Sequence, residues 1–415
     1  MLDTEKIGAF IAEKRRQHCM TQQQLAGRLN ISFQAVSKWE NGTACPNIEL
    51  LAELAAVLGV TADELLAGRE RAEEGLSYSR AGVDIAYTDA MKREMAGVLE
   101  RGDRRVLNGL GAFASLYDID FPDMKHPVLV LKSEEPGSKQ KLAVEYGYTE
   151  SICHDMINHL VNDIIVMGAK PLAVLDTIVC GNAEKDTIHA LVKGISDACR
   201  ENECSLVGGE TSIQPQVVNA GTYVLTASIA GIVEKERIID GSAVREGDVV
   251  LAAASNGLHT NGYSLVRLMM ERMPQIKLER IEGLTFIEQI MKPHTPYYKA
   301  VKEAVERKLL HAMAHITGGG IAGNLCRVIP DGLTARIDLS RLRIPAIFHF
   351  IREQGGIRED EMLRTFNCGA GLVLVTGREH AETVKRLVSR QCACYEIGEI
   401  VSGQERVRLE GRMSW

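Results

Sequence analysis

Residues Val128 to Ala143, VLVLKSEEPGSKQKLA, run from an apolar β-branched stretch into a loop that carries two carboxylates, a proline, a glycine and a lysine. An apolar run of that length ending in turn residues reads as a strand, and this one feeds a polar loop. Such a strand end can present Glu134, the amides around Gly137 and the ammonium of Lys139 to a phosphate or its metal, which a strand ending in a plain turn cannot do. A hairpin turn with solvated charges is the alternative, and the rest of the chain decides between them.

The chain has 415 residues, 25% of them charged and 45% hydrophobic, enough for two or three cores of ordinary globular composition. It has no apolar run of membrane length, and the opening MLDTEKIGAFIAEKRRQ is polar with a helical period rather than a leader, so a cytoplasmic protein with no membrane partner is expected. Ten cysteines without a CxxC pair fit free thiols in a reducing compartment, Cys392-x-Cys394 being too short for that pattern. A net charge of −7 argues against broad nucleic-acid affinity but leaves room for a local patch. The 38 glycines come in clusters, as in loops where a backbone must approach a ligand closely.

From Thr4 to Gly68 the chain reads as short helices. Thr21 with Gln24 makes a capping box before QQQLAGRL, and Ser32 precedes FQAVSKWEN in the same way. The tight connection at Asn30-Ile31 then joins two helices into a helix-turn-helix. The pattern TQQQLAGRLNISFQAVSKWENG, with Pro46, Leu50, Leu51, Leu54, Leu58, Gly59 and Val60 after it, resembles the Cro/C1 (XRE) family of DNA-binding domains over its whole length. The resemblance implies that the second helix lies in the major groove, with Ser32, Gln34, Ala35, Ser37 and Lys38 toward DNA, Gln22 against a phosphate, and Val36 and Trp39 inward. Residues 1–68 hold three Lys and three Arg against eight Asp and Glu, net −2, so a helical protein-interaction module is the alternative. The basic residues are nevertheless grouped at Lys14, Arg15, Arg16 and His18, ending the first helix where they suit its dipole.

GRERAEEGLS, Gly68 to Ser77, has no apolar face, so a linker at 69–77 is expected, with a new domain from Tyr78 and a weak first glycine loop at Asn108 to Phe113. Ile157, Leu160, Val161, Ile164 and Ile165 place a helix after Ile152. Its polar Asp155, Asn162 and Asp163 need partners on a buried face, and Asp163 is a candidate for magnesium or phosphate. A strand PLAVLDTIV, a helix from Lys185 to Asn202 and a second strand ending in a glycine loop, Gly208-Gly209-Glu210-Thr211, follow, then the strand Tyr223 to Val233. A second α/β unit starts near Ile238. Its loops Ser255 to Ser264 and His315 to Gly320 open helices with free amides that suit an anion, with a well-capped turn as the alternative. The last loop, Arg364 to Gly371, precedes the strand LVLV.

In this order AGVDI, VND, LVGGET, IIDG, SNGLHTNGYSLVR, HITGGG and TFNCGAG resemble the phosphoribosylformylglycinamidine cyclo-ligase (AIR synthase) family from about Tyr78 to the C-terminus. The expected fold is therefore multidomain: an all-α helix-turn-helix domain (1–68), the linker, and a two-domain α/β (α+β) AIR-synthase-like module split into 78–236 (ATP-binding, dimerisation) and 237–415. The resemblance implies ATP and Mg2+ as cofactors, a purine-pathway ribonucleotide as substrate, DNA as a partner of the first domain, and a homodimer. It places ATP and Mg2+ at Glu134, Gly137, Lys139, Asn162, Asp163 and Gly208 to Thr211 (Gly209 and Glu210 between), with Asp163 and Glu134 as metal ligands. It places substrate at His259, Thr260, Asn261, Gly262, Thr317, Gly318, Gly319, Gly320 and Asn367.

The departures fall on the ATP side. The family loop TDGVGTK is here Ser133-Glu134-Glu135-Pro136-Gly137-Ser138-Lys139, which adds negative charge at Glu135 where ATP phosphates would lie. The family's Glu-Met-Pro-Gly is Ile213-Gln214-Pro215-Gln216, and the aspartate after its strand tyrosine is Val224. Two functions fit: an ATP-dependent cyclo-ligase coupled to gene control, or a transcription regulator whose altered cyclo-ligase module senses a purine intermediate or nucleotide without turnover.

Overall fold

A computed structural model of the chain describes residues 3–70, 90, 103–108, 112–182 and 184–415. The chain forms two compact units, Met1–Arg80 and Ala81–Trp415. The expected linker beyond Glu70, the start at Tyr78, the AGVDI motif and Gly109 to Gly111 of the first glycine loop lie outside the described residues.

In the first unit five helices run Thr4–Gln17 (α1), Gln22–Arg28 (α2), Phe33–Glu40 (α3), Ile48–Leu58 (α4) and Ala62–Ala67 (α5). Four of the five starts carry a side-chain cap: the Asp3 carboxylate accepts from the Lys6 amide, Thr21 and Thr61 form capping boxes with Gln24 and Glu64, and the Ser32 hydroxyl accepts from the Ala35 amide. Ile7, Phe10, Ile11, Leu25, Val36, Trp39, Leu54, Leu58 and Leu65 close one core. Helices α1 and α3 touch so closely that a Cβ at Gly8 would stand 2.1 Å from the Trp39 carbonyl oxygen.

The second unit begins with β1 (Pro127–Glu134), α6 (Lys139–Tyr146), α7 (Thr149–Ile165), β2 (Lys170–Cys180), α8 (Lys185–Glu201), β3 (Ser205–Ile213) and β4 (Tyr223–Glu234). Their sheet has the order β1-β4-β2-β3, antiparallel except for the β2/β3 pair that α8 connects. Helix α7 packs on one face; on the other, Leu129, Leu131, Leu175 and Val224 stay exposed. Gly208 to Thr211 correct the expected loop: they lie within β3, registered against Leu175 to Ile178. A bulge between Val174 and Leu175 brings the Asp176 carboxylate over Gly209, where any Cβ would stand 1.9 Å from Oδ1.

The remainder folds as β5 (Val249–Ala254), α9 (Tyr263–Arg272), a hairpin of β6 (Arg280–Ile281) and β7 (Leu284–Thr285), α10 (Phe286–Ile290), α11 (Tyr298–Glu306), β8 (Ala312–His315) and α12 (Gly320–Leu325). It ends with β9 (Leu333–Asp338), α13 (Ala346–Gly355), α14 (Glu359–Thr365), β10 (Ala370–Thr376), α15 (Ala381–Val388), β11 (Cys394–Ser402) and β12 (Val407–Glu410). The six-stranded sheet has the order β12-β9-β11-β5-β10-β8. Its inner strands VVLAAA and AGLVLVT are buried almost throughout, which is why they lack polar alternation. No described helix is long and apolar enough to cross a membrane.

Candidate active site and DNA-binding face

Helix α7 carries a polar stripe, Ser151, Asp155, Asn158 and Asn162, at the spacing of one helix face. Every member binds the backbone of the extended segment 291–297. Ser151 Oγ donates to the Met291 carbonyl at 2.6 Å, the His294 amide donates to Asp155 Oδ1 at 2.8 Å, and Asn158 Nδ2 donates to the His294 carbonyl at 2.7 Å. Asn162 donates to the Thr295 carbonyl and accepts from the Tyr297 amide. The stripe thus straps the second α/β part to the first and fixes His294 in place. Asn162, expected at ATP, is committed to this strap.

Lys139 is a second correction. Its ammonium does not point along the loop toward a phosphate; it is fully buried, 2.7 Å from Asp155 Oδ2 and bonded to the His259 and Lys292 carbonyls. Burial lowers the Lys139 pKa and raises that of Asp155 to about 6, each partly opposed by the other's charge. The loop before it remains polar, with Glu135 exposed and Gly137 at φ 64.

Asp163 and Glu134 meet through Lys132, whose Nζ is 2.9 Å from Glu134 and 3.1 Å from Asp163. Asp163 also bonds His315 Nδ1 at 2.7 Å. Burial would raise the Asp163 pKa; the hydrogen bond and charge of His315, with His159 and Lys132, outweigh it and hold the group well below the usual carboxylate range. His159 lies 3.6 Å from Asp163 and meets the Thr260 hydroxyl through Nδ1. His259 stacks on His294 at 3.9 Å between ring centroids, and His294 Nε2 lies 2.9 Å from His315 Nε2. His159, His294 and His315 were not singled out from the sequence as site residues; separated along the chain, they carry no local spacing signal.

The remaining expected substrate residues line the adjoining loops. Asn261 Oδ1 accepts from the Gly318 amide, Gly262 caps α9 in the left-handed region, and Thr317 bonds Asn324. Gly319 and Gly320 both have positive φ; a Cβ at Gly320 would stand 1.7 Å from the Leu363 carbonyl oxygen. Asn367 is buried and engaged by Ser255, the Gly257 carbonyl and the Gly369 amide, so it organises the loops rather than facing a ligand.

A third carboxylate was also missed. Asp176, pushed up to about 7 by burial and by the nearby Glu210 charge, sits in a strand that is apolar apart from Lys170 and Thr177, which was its signal in the sequence. The open side of the same sheet holds a cavity of about 850 Å3, lined among others by Leu131, Ser133, Leu175, Gly208, Glu210 and Ser228.

In the first unit Ser32, Gln34 and Lys38 are exposed on α3, Ala35 and Ser37 half-buried, and Val36 and Trp39 buried. Gln22 Nε2 donates to Glu40, which also pairs with Arg15 at 2.6 Å, tying α1, α2 and α3.

Comparison with known proteins follows these boundaries. The family described as AIR synthase related protein, N-terminal domain, matches residues 128–233, its C-terminal domain matches 245–410, and Helix-turn-helix matches 11–65. The architecture is that of an AIR-synthase-related protein carrying an N-terminal helix-turn-helix domain. A Phosphoribosylformylglycinamidine cyclo-ligase of Methylobacillus flagellatus is 40% identical over 341 residues, spanning 82% of this chain and 96% of that protein. The chain belongs to the phosphoribosylformylglycinamidine cyclo-ligase family. Solved structures share the fold: E. coli HypE (TM-score 0.57, 17% identity, 78% of this chain and 94% of that one), and Hydrogenase Maturation Protein HypE in complex with ATP (0.51, 15%, 81% and 92%).

Proposed function

We propose that the chain is an ATP-dependent cyclo-ligase that closes formylglycinamidine ribonucleotide to aminoimidazole ribonucleotide and carries a sequence-specific DNA-binding domain. The observation that carries this reading is the 40% identity over 96% of a protein bearing the cyclo-ligase name. Phosphoryl transfer from ATP would turn the substrate's amide or formyl oxygen into a leaving group, and a substrate nitrogen would close the ring as phosphate departs. Positioning and electrostatics supply the acceleration in such chemistry.

Magnesium, which would neutralise the phosphates, fits the donor chemistry of Asp176 beside Glu210: a buried carboxylate raised by a second one is stabilised by a hard cation. The pair Glu134 and Asp163 fits it less well, because Lys132 already meets both charges. The Gly318, Gly319 and Gly320 amides are held by Asn261, Arg364 and Thr317, so the group offered to the ribonucleotide is the Asn261 Nδ2, which has no hydrogen-bond partner. A homodimer through the open face of the first sheet is part of the proposal, supported by exposed Leu129, Leu131 and Leu175.

The exposed Glu135 and the Lys132 bridge favour a second reading, a regulator that binds nucleotide or intermediate without turnover. ADP release by the full chain with Mg-ATP and formylglycinamidine ribonucleotide separates the two. Substrate-dependent ADP that is lost in Asp163→Ala and in Asp176→Asn supports the enzyme; ligand binding without ADP supports the sensor.

A further inference from the structure

His159, His259, His294 and His315 form a cluster of which the cyclo-ligase reading above claims His259 alone, for substrate. One ring nitrogen from each of His259, His294 and His315 lies within 4.8 Å of the others. All three residues are buried, with relative exposures of 1%, 1% and 6%.

The protein's own hydrogen bonds leave this cluster incomplete. His315 gives Nδ1 to Asp163, which fixes its ring and turns Nε2 toward His294 Nε2. His294 then has no partner for Nδ1, and His259, whose Nε2 meets the Thr295 hydroxyl at 3.2 Å, has none for its own Nδ1. Whichever tautomers are drawn, buried ring nitrogens remain unsatisfied, a state that folded interiors avoid. A cation at His259 Nδ1 would take that lone pair and leave Nε2 to donate to the Thr295 hydroxyl.

We propose that His259, His294 and His315 bind a divalent first-row transition ion of the Zn2+ class, with Asp163 orienting His315 as a carboxylate partner behind the ligand. A carboxylate holding the far nitrogen of a ligating histidine is the usual support of such sites. Imidazole ligands select Zn2+ and its neighbours over Mg2+, so the site is chemically separate from a carboxylate site for Mg-ATP. The positions of His259 and His294 are built rather than incidental. His259 holds a left-handed φ of 61 while Lys139 clamps its carbonyl, and His294 is strapped on both sides by Asp155 and Asn158. Tetrahedral Zn–N bonds separate nitrogens by roughly 3.3 Å, so the 2.9 Å contact between His294 and His315 opens only slightly on binding, whereas the His259 ring, stacked on His294, has to turn to aim a nitrogen at the same ion. The inference does not depend on turnover.

The test uses the full chain, stripped with a chelator and titrated with Zn2+ against a chromophoric competitor, then with Co2+ for its visible spectrum. Expected are one Zn2+ per chain with a dissociation constant below about a micromolar, unaffected by millimolar Mg2+, and affinity lowered at least about a hundredfold in His294→Ala. X-ray absorption of the Zn2+ form, which needs no variant, is expected to count three imidazoles. Substoichiometric binding, undiminished binding in a folded His294→Ala chain, or a shell of oxygen or sulfur overturns the proposal.

Discussion

Lys139 Nζ and Asp155 Oδ2 stand 2.7 Å apart with neither side chain reached by solvent, and the same lysine bonds the carbonyls of His259 and Lys292 across the seam between the two α/β parts. Two charges removed from water this completely are tolerated only as a pair. Lys139→Met is therefore expected to destabilise the second unit by about 3–5 kcal/mol, the cost of leaving one buried charge unmatched. Adding Asp155→Asn, which keeps an acceptor for the His294 amide, should restore most of it. Thermal unfolding of the two variants checks this; equal losses in both would mean that the carbonyl bonds, not the ion pair, dominate.

The pair Arg15 and Glu40 gives the first unit a pH dependence. Burial alone would raise the Glu40 carboxyl, but the hydrogen bonds from Arg15 and Gln22 outweigh it and hold its pKa below the ordinary 4.5. A carboxyl depressed by folding contributes stability above its unfolded value and loses it as pH falls through 4.5 toward the folded value. Unfolding followed through the buried Trp39, in a Trp415→Phe background, should weaken across that window. Glu40→Gln should flatten the dependence and cost about 1–3 kcal/mol at neutral pH.

Two glycines of one short helix should answer oppositely to alanine. Gly320 has φ 64 and no room beside the Leu363 carbonyl, whereas a Cβ at Gly323 meets nothing within 4 Å. Gly320→Ala should cost about 2 kcal/mol or more, and Gly323→Ala should gain up to about 1 kcal/mol. Melting temperatures of the two variants moving in the same direction would contradict this account of α12.

These cases also mark what the sequence made legible. Thr21 with Gln24 announced a helix start because capping is local, and the structure has that box. Asp155 and Asn162 were legible as buried polar groups in need of partners, but apart from Lys139 those partners lie more than 130 residues away on segment 291–297, beyond any local pattern. Lys139 read differently because its place after a glycine loop suggested a phosphate, whereas packing draws the ammonium inward to Asp155 and to the distant carbonyls of His259 and Lys292. Gly208 to Thr211 looked like a loop because glycine is rare in strands; here it makes room for Asp176. The histidine cluster draws on α7, two loops and β8, and only folding assembles it.

The open face of the first sheet should be a subunit contact. Leu131 is 71% exposed and Leu129 52%, on strand positions whose neighbours Val128 and Val130 face inward. Leu131→Asp is expected to shift the protein to a monomer in sedimentation at micromolar concentration, with unchanged thermal unfolding of the protomer. A dimer that survives this substitution would place the contact elsewhere.

On the first unit, Gln34 and Lys38 share the exposed side of α3 while Val36 and Trp39 hold its other side in the core, so truncating either leaves the fold intact. Their roles should separate by chemistry. A glutamine near the start of a groove-lying helix reads a base edge, whereas a lysine also acts on phosphate charge. With a site obtained by selection from random duplexes, Gln34→Ala should weaken specific binding by about 1–3 kcal/mol while leaving non-specific binding unchanged. Lys38→Ala should weaken both and reduce the salt slope by about one. If Lys38→Ala left the salt slope intact, its ammonium would be away from the backbone and α3 would dock with a different face.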